Sequence, residues 1–169
     1  MKISYHASHE QFSPDRLLSL VKAAEAAGFQ GVTSSDHFHP WSRRQGESGF
    51  AWSWLGAAMQ ATDLPFGVVT VPGQRYHPAI LAQAAATLAV IFPGRLWIAA
   101  GSGELLNEGV TGGPWPPKSE RNRRLQESVQ VMRALMAGEE VTYRGLVQVE
   151  SARLYTRPEQ PLPIFGAAL

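Results

Sequence analysis

The chain has 169 residues, 44% of them hydrophobic and 17% charged, the composition of one folded unit with a real core rather than a disordered chain. Its 15 basic and 14 acidic side chains are spread along the sequence, so the net charge of +1 carries no footprint of a nucleic-acid or anionic-membrane binder. The absence of cysteine excludes disulfides, thiolate metal sites and a cysteine nucleophile. Met1 to Ser8 lacks the pattern of a signal peptide and no apolar run has the length of a membrane span, so a cytoplasmic location is expected.

Ile3 to Ala7 reads as a first strand, leading to Ser13-Pro14, which has the chemistry of a helix N-cap and first helical position. The helix runs to about Ala27, with Leu17, Leu18, Val21, Ala24 and Ala27 at helical spacing and Gly28 placed to end it. A second strand lies near Gly31 to Ser35, a helix over Ala51 to Ala61, and a third strand over Phe66 to Val71. Pro78 to Phe92 is an alanine-rich helix closed by Pro93-Gly94, and Leu96 to Ala100 a fourth strand. Arg121 to Ala137 is an amphipathic helix with Leu125, Val129, Met132 and Leu135 on one face, ended by Gly138; Arg121, Arg123 and Arg124 read as its solvated start. Residues 139–157 hold two β-type runs around Arg144-Gly145, an inserted hairpin, and Pro163 to Ala168 begins a fifth strand.

Four strand and helix repeats with short connections predict an α/β fold with a parallel sheet. An eight-unit barrel needs about 250 residues, so the expectation is the N-terminal half of a single barrel over residues 1–169, with a finished five-stranded open sheet as the alternative.

In either architecture chemistry belongs at the C-terminal ends of the strands. The sequence places there His6, Ser8, His9 and Glu10; Asp36-His37-Phe38-His39-Pro40-Trp41; Pro72 to His77; and Gly101-Ser102-Gly103-Glu104 with Asn107-Glu108. All five histidines are expected on this one rim. Asp36 beside His37 suggests an acid or base pair in which the carboxylate fixes the imidazole tautomer, with an ordinary capping loop as the bland alternative. His37, His39 and Glu104 have no metal-ligand spacing, so no metal is expected. Gly101-x-Gly103 fails as a dinucleotide fingerprint because Leu106 stands where the third glycine belongs, though glycines there still permit close approach of a flat ligand. Trp52, Trp54 and Trp97 read as core, whereas Trp41 and Trp115, flanked by prolines, can wall a pocket.

The runs Ala7-Ser8-His9-Glu10-Gln11-Phe12, Ser35-Asp36-His37-Phe38-His39-Pro40-Trp41, Arg75-Tyr76-His77-Pro78-Ala79 and Gly101-Ser102-Gly103-Glu104-Leu105-Leu106-Asn107-Glu108 together resemble the luciferase-like oxidoreductases. Within these the chain is most similar to the deazaflavin-dependent glucose-6-phosphate dehydrogenase group, and to a branch that uses ordinary flavin. The resemblance covers essentially the whole chain and implies a TIM-type (β/α)8 barrel holding an isoalloxazine-like ring. It implies His37 as base, Glu104 as proton donor, Trp41 beside the transferred hydride and Glu10 in the pocket. Asp36, Val71, Pro72, Gly101, Ser102, Gly103 and Asn107 are implied as cofactor contacts. The stretch Val69 to Arg75 is about one residue shorter than in the dehydrogenases, where a cis peptide supports the deazaflavin, so an altered bulge is expected and FMN is placed ahead of coenzyme F420 as cofactor. Members of the group are often homodimers. The functional expectation is a flavin-dependent oxidoreductase acting on a small organic substrate, by hydride or oxygen chemistry. The alternatives are a deazaflavin-dependent alcohol or sugar dehydrogenase and a noncatalytic flavin-binding or assembly protein.

Overall fold

Short β-type runs, each followed by a helix with an apolar stripe, produce the same succession in space as in sequence. The computed structural model describes residues 3–167, which fall into two compact units, Met1–Thr70 and Val71–Leu169. The last part of the expected fifth strand, at Ala168, lies outside the described residues.

In the first unit β1 (Tyr5–Ala7), β2 (Val32–Ser35) and β3 (Phe66–Thr70) pair in parallel, with Ala7 opposite Ser34 and Val32 opposite Phe66. The crossovers carry α1 (Pro14–Ala26) and α2 (Ala51–Ala61). Leu17 and Val21 of α1, Leu55 and Met59 of α2, and Phe66 and Val68 of β3 are fully buried. Each such side chain contributes about 1.5–3 kcal/mol by leaving water, so this cluster fixes the strand ends that matter below. Ser13 precedes α1 as expected but makes no capping bond through its side chain. Proline at the first helical position needs no donor partner of its own, and Asp15 supplies the acidic first turn.

The second unit contains α3 (Pro78–Ile91), β4 (Leu96–Ala100), α4 (Leu105–Glu108), a 3₁₀ turn (Gly109–Thr111) and α5 (Lys118–Ala137). A hairpin of β5 (Val141–Arg144) and β6 (Gln148–Ala152) follows, then β7 (Ile164–Gly166). β4 pairs in parallel with β7, and α3 packs on α5. The hairpin is antiparallel and turns at Gly145. Glu127 of α5 accepts its Val147 N–H at 3.1 Å, and the His77 ring bonds its Gln148 carbonyl at 2.9 Å.

The start and buried face expected for α5 are corrected here, and one short helix was not expected. The helix α4 and its 3₁₀ extension do not emerge from periodicity, because one turn is too short to show a stripe. Helix α5 begins at Lys118 after Pro116-Pro117, so the arginines lie inside it. Arg121 stacks on the Trp115 ring, and Arg124 is half-buried between Glu120 and Gln74. Its buried face is Ser128, Val131, Met132 and Leu135, while Leu125 and Val129 are half-buried beside Ile164 and Phe165. Every peptide bond among the described residues is trans, those of Val71-Pro72-Gly73 included. No described helix is long and apolar enough to cross a membrane.

Candidate active site

The parallel register of β1 and β2 brings their C-terminal ends side by side, and the residues just beyond each end meet. Glu10, three residues past β1, accepts a hydrogen bond at 2.5 Å from Nδ1 of His37, two residues past β2. The Glu10 side chain is 3% exposed and that of His37 22%. Ser8 donates its hydroxyl to the other Glu10 oxygen at 2.7 Å. Burial pushes the Glu10 carboxyl up, but hydrogen bonds, that from His37 foremost, outweigh it and hold the group below the usual carboxylate range. Glu10 is therefore an anion at neutral pH and can only accept. The proton must sit on Nδ1 of His37, which directs the ring's basic lone pair to Nε2. The Trp41 indole stands edge-on to His37 with ring centroids 5.0 Å apart, and is 56% exposed.

Asp36 is tied to two other elements of the first unit. It is buried, and its Oδ2 accepts from Trp52 Nε1 at 3.1 Å and from Thr70 Oγ1 at 2.7 Å. The carboxylate that fixes the His37 tautomer is Glu10, 27 residues away in sequence. Successive residues of an extended strand end point to opposite sides, so adjacency along the chain works against contact. Trp52 is buried, as its reading as a core residue expects, but its bond to Asp36 carries no sequence signal, and for Thr70 the signal is a threonine ending a buried strand.

The histidines do not share one rim. His6 stands within β1 and bonds Thr33 Oγ1 at 3.0 Å. His9 is fully buried, bonded to Ser34 Oγ at 2.9 Å and edge-on to Trp54 at 4.8 Å. Burial brings its pKa down to about 4, against the nearby Glu10 and Asp36 carboxylates that favour protonation, so it is a neutral core residue. His77 precedes α3 and caps it, accepting from Ala79 N–H at 3.3 Å. His39 is exposed beside Phe38.

In the second unit the loop after β4 holds Glu104 and Asn107 together, the Asn107 amide donating to Glu104 Oε1 at 2.6 Å. Asn107 is buried and Glu104 half-buried. Gly103 is required by the chain itself, since a Cβ there would stand 2.8 Å from Glu108 Cγ and from Val71 Cγ1. Ser102 accepts from Lys118 Nζ at 3.0 Å, Gly101 is half-buried and Pro72 buried. Glu108 turns inward, accepting the Arg75 N–H at 3.0 Å with the Arg75 guanidinium Nε 3.6 Å from its other oxygen. It is thus a structural ion pair and not a rim group. Among the described residues no group of three or more His, Asp or Glu side chains could hold a metal ion.

A flat tricyclic ring needs an apolar face beside a group that handles protons. The exposed Trp41 indole packed against the braced His37 imidazole supplies both within the first unit, so these residues fit a flavin-type group.

The family described as luciferase-like monooxygenase matches residues 1–169. The chain is 44% identical over 174 residues to an F420-dependent glucose-6-phosphate dehydrogenase of Intrasporangium calvum, covering 99% of this chain and 52% of that protein. A protein of the same name from Mycolicibacterium smegmatis is 42% identical over 173 residues, again 99% of this chain and 52% of the relative. An F420-dependent secondary alcohol dehydrogenase, solved with an F420-acetone adduct, matches with a TM-score of 0.93 at 41% identity over 98% of this chain and 51% of that one. The monooxygenase RslO1 from Streptomyces bottropensis matches with a TM-score of 0.80 at 25% identity, over 98% and 53%. The chain spans about half the length of the curated relatives it matches. Its strand and helix succession is that of a luciferase-like TIM-type barrel, not of an open doubly wound sheet.

Proposed function

The chain belongs to the luciferase-like monooxygenase family, and from that premise we propose that it serves an oxidoreductase which uses coenzyme F420 to oxidise an alcohol carbon, with His37 as the base. The observation that carries this reading is the 2.5 Å bond from His37 Nδ1 to the buried Glu10 carboxylate. A noncatalytic ring-binding protein has no need of a buried anion to brace an imidazole. Cofactor choice follows the relatives: the order expected from sequence, FMN before the deazaflavin, is reversed because the dehydrogenases more than 40% identical to this chain are named for F420.

In this reading the substrate hydroxyl faces His37 Nε2, which takes its proton as hydride leaves the carbon, and the alcohol becomes a carbonyl. A deazaflavin held beside Trp41 and His37 would supply the hydride-accepting ring. Glu10 stabilises the imidazolium that forms and keeps the ring from flipping. Trp41 shields one side of His37 from water. Glu104, oriented by Asn107, would supply the proton that a deazaflavin takes up along with the hydride, while the proton from the alcohol stays on His37 until it is released to solvent. An apolar secondary alcohol and a sugar phosphate are both within this chemistry.

Anaerobic titration of the protein with F420 and with FMN tests the assignment. Tighter binding of F420, followed by its reduction on addition of an alcohol or sugar phosphate, supports the proposal. Tighter binding of FMN with oxygen consumption would replace it by the monooxygenase reading that the family description and the RslO1 likeness favour.

A further inference from the structure

Strand pairing does not by itself hold Glu10 against His37. The register of β1 and β2 ends at Ala7 and Ser34, and both functional side chains stand on irregular backbone beyond it. A third segment reaches both of them. On the connection to α2, the Glu47 N–H donates to the Glu10 carbonyl at 3.2 Å, and the Ser48 hydroxyl donates to the His37 carbonyl at 2.8 Å. The next residue, Gly49, is set so close to the start of α1 that a Cβ on it would stand 2.7 Å from Pro14 Cγ and 3.7 Å from His9 Nδ1. Glu47 and Ser48 therefore bind the backbones of both dyad members, and Gly49 lets the same segment pass close to the start of α1.

We propose that Ser48 is a positioning residue for the base, and that Glu47-Ser48-Gly49 acts as a clasp fixing the Glu10 carboxylate and the His37 imidazole in one geometry. The inference rests on the reading of His37 as the base. A serine in a loop between two other elements carries no sequence signal for this role. Its logic is that of a general base, which loses about a hundredfold in rate when the reacting groups are misplaced by about 1 Å. The two carbonyls are bound by different groups of the clasp. Loss of the Ser48 hydroxyl removes its bond to the His37 carbonyl while leaving the Glu47 bond to Glu10.

The test compares Ser48→Val with Ser48→Thr, which differ in the hydroxyl and not in branching. The Val variant is expected to lower kcat for F420 reduction at least tenfold with KM within about twofold, and the Thr variant to restore it. A second readout uses the cofactor-free protein: the short Nδ1–H to carboxylate bond gives a low-field proton resonance, expected to broaden or vanish with Val and to persist with Thr. Gly49→Ala removes no hydrogen-bonding group but lifts the clasp off Pro14, and should weaken the same resonance; it carries the test if the Val variant does not fold. An unchanged resonance in Ser48→Val, or in Gly49→Ala where that decides, would overturn the proposal. If His37→Ala proves fully active while the resonance still answers to Ser48, the catalytic reading fails and the clasp stands.

Discussion

The two units each present a carboxylate and a polar partner beyond the end of a strand, but build them in contrasting ways. In the first, Glu10 and His37 come from turns 27 residues apart, and the carboxylate is buried, doubly hydrogen-bonded and held as an anion. In the second, Glu104 and Asn107 are three residues apart on the lip of a four-residue helix, and the partner is a neutral amide. A base that becomes a cation during turnover is served by a fixed counter-charge, which in the first unit comes from a turn distant in sequence. A carboxyl group that must take up and release a proton is better served by a local, uncharged partner. The difference suits the proposed roles, His37 as base and Glu104 as proton donor.

The sharpest way to break this comparison is to remove each member. His37→Ala is expected to lower kcat about 10²- to 10⁴-fold, the range for a positioned general base, with F420 affinity changed little. Glu104→Gln keeps the shape and the Asn107 contact, and its loss should be at least tenfold smaller. Stopped-flow reduction of F420 under anaerobic conditions reads both. Equal losses would show that the contrast in burial has no catalytic meaning.

The same contrast explains what the sequence disclosed. Every strand and long helix was legible within a few residues, because β4 and α2 are bounded by breakers and carry clear apolar patterns. His37 and Glu10 stood out as polar residues at strand ends. Their partnership did not, because sequence adjacency favoured Asp36, and register alone decides which distant turn lies beside which. The identity of His9 as a core residue was equally hidden. It sits next to Glu10 in sequence, yet its ring faces Trp54 and Ser34. Local pairs such as Glu104 with Asn107 are within reach of sequence reasoning, and long-range pairs need the fold.

His9 gives the next prediction, on stability rather than rate. Its pKa in the fold is about 4 against an ordinary 6.5. Below pH 6.5 the unfolded chain takes up a proton that the native state refuses until about pH 4, so stability falls as pH drops through that window. The effect amounts to roughly 3 kcal/mol at its limit. The groups facing His9 are Glu10 and Asp36, which favour its charge, and His6 and His37, which oppose it. Glu10 adds to the loss in stronger acid: its depressed pKa stabilises the fold above the ordinary carboxylate range and that contribution disappears as pH falls through the folded value. Urea unfolding of the wild type and of His9→Gln at pH 7 and pH 4.5 separates the two. The variant should be less stable at pH 7 and lose less on acidification. An identical slope would mean that His9 is protonated in the fold.

The smallest effect compares one motif in both units. Helices α1 and α5 end alike, with Gly28 (φ 88°) and Gly138 (φ 94°) in the left-handed conformation, their N–H groups bonded to Glu25 and Leu135 carbonyls at 3.0 Å. Alanine at either position meets backbone strain of about 1–2 kcal/mol. Around Gly28 a new Cβ would find open space, so strain is the whole cost. At Gly138 it would also meet the Arg157 guanidinium, whose Nη1 donates to the Ala137 carbonyl at 2.9 Å and helps close the helix end. Displacing that bond adds about 0.5–1 kcal/mol. Gly138→Ala should therefore lower the Tm by a few degrees more than Gly28→Ala. Adding Arg157→Ala to both should bring the two costs together, because the remaining term is the same left-handed strain. If the gap persists without the arginine, the two helix ends differ in something other than this contact.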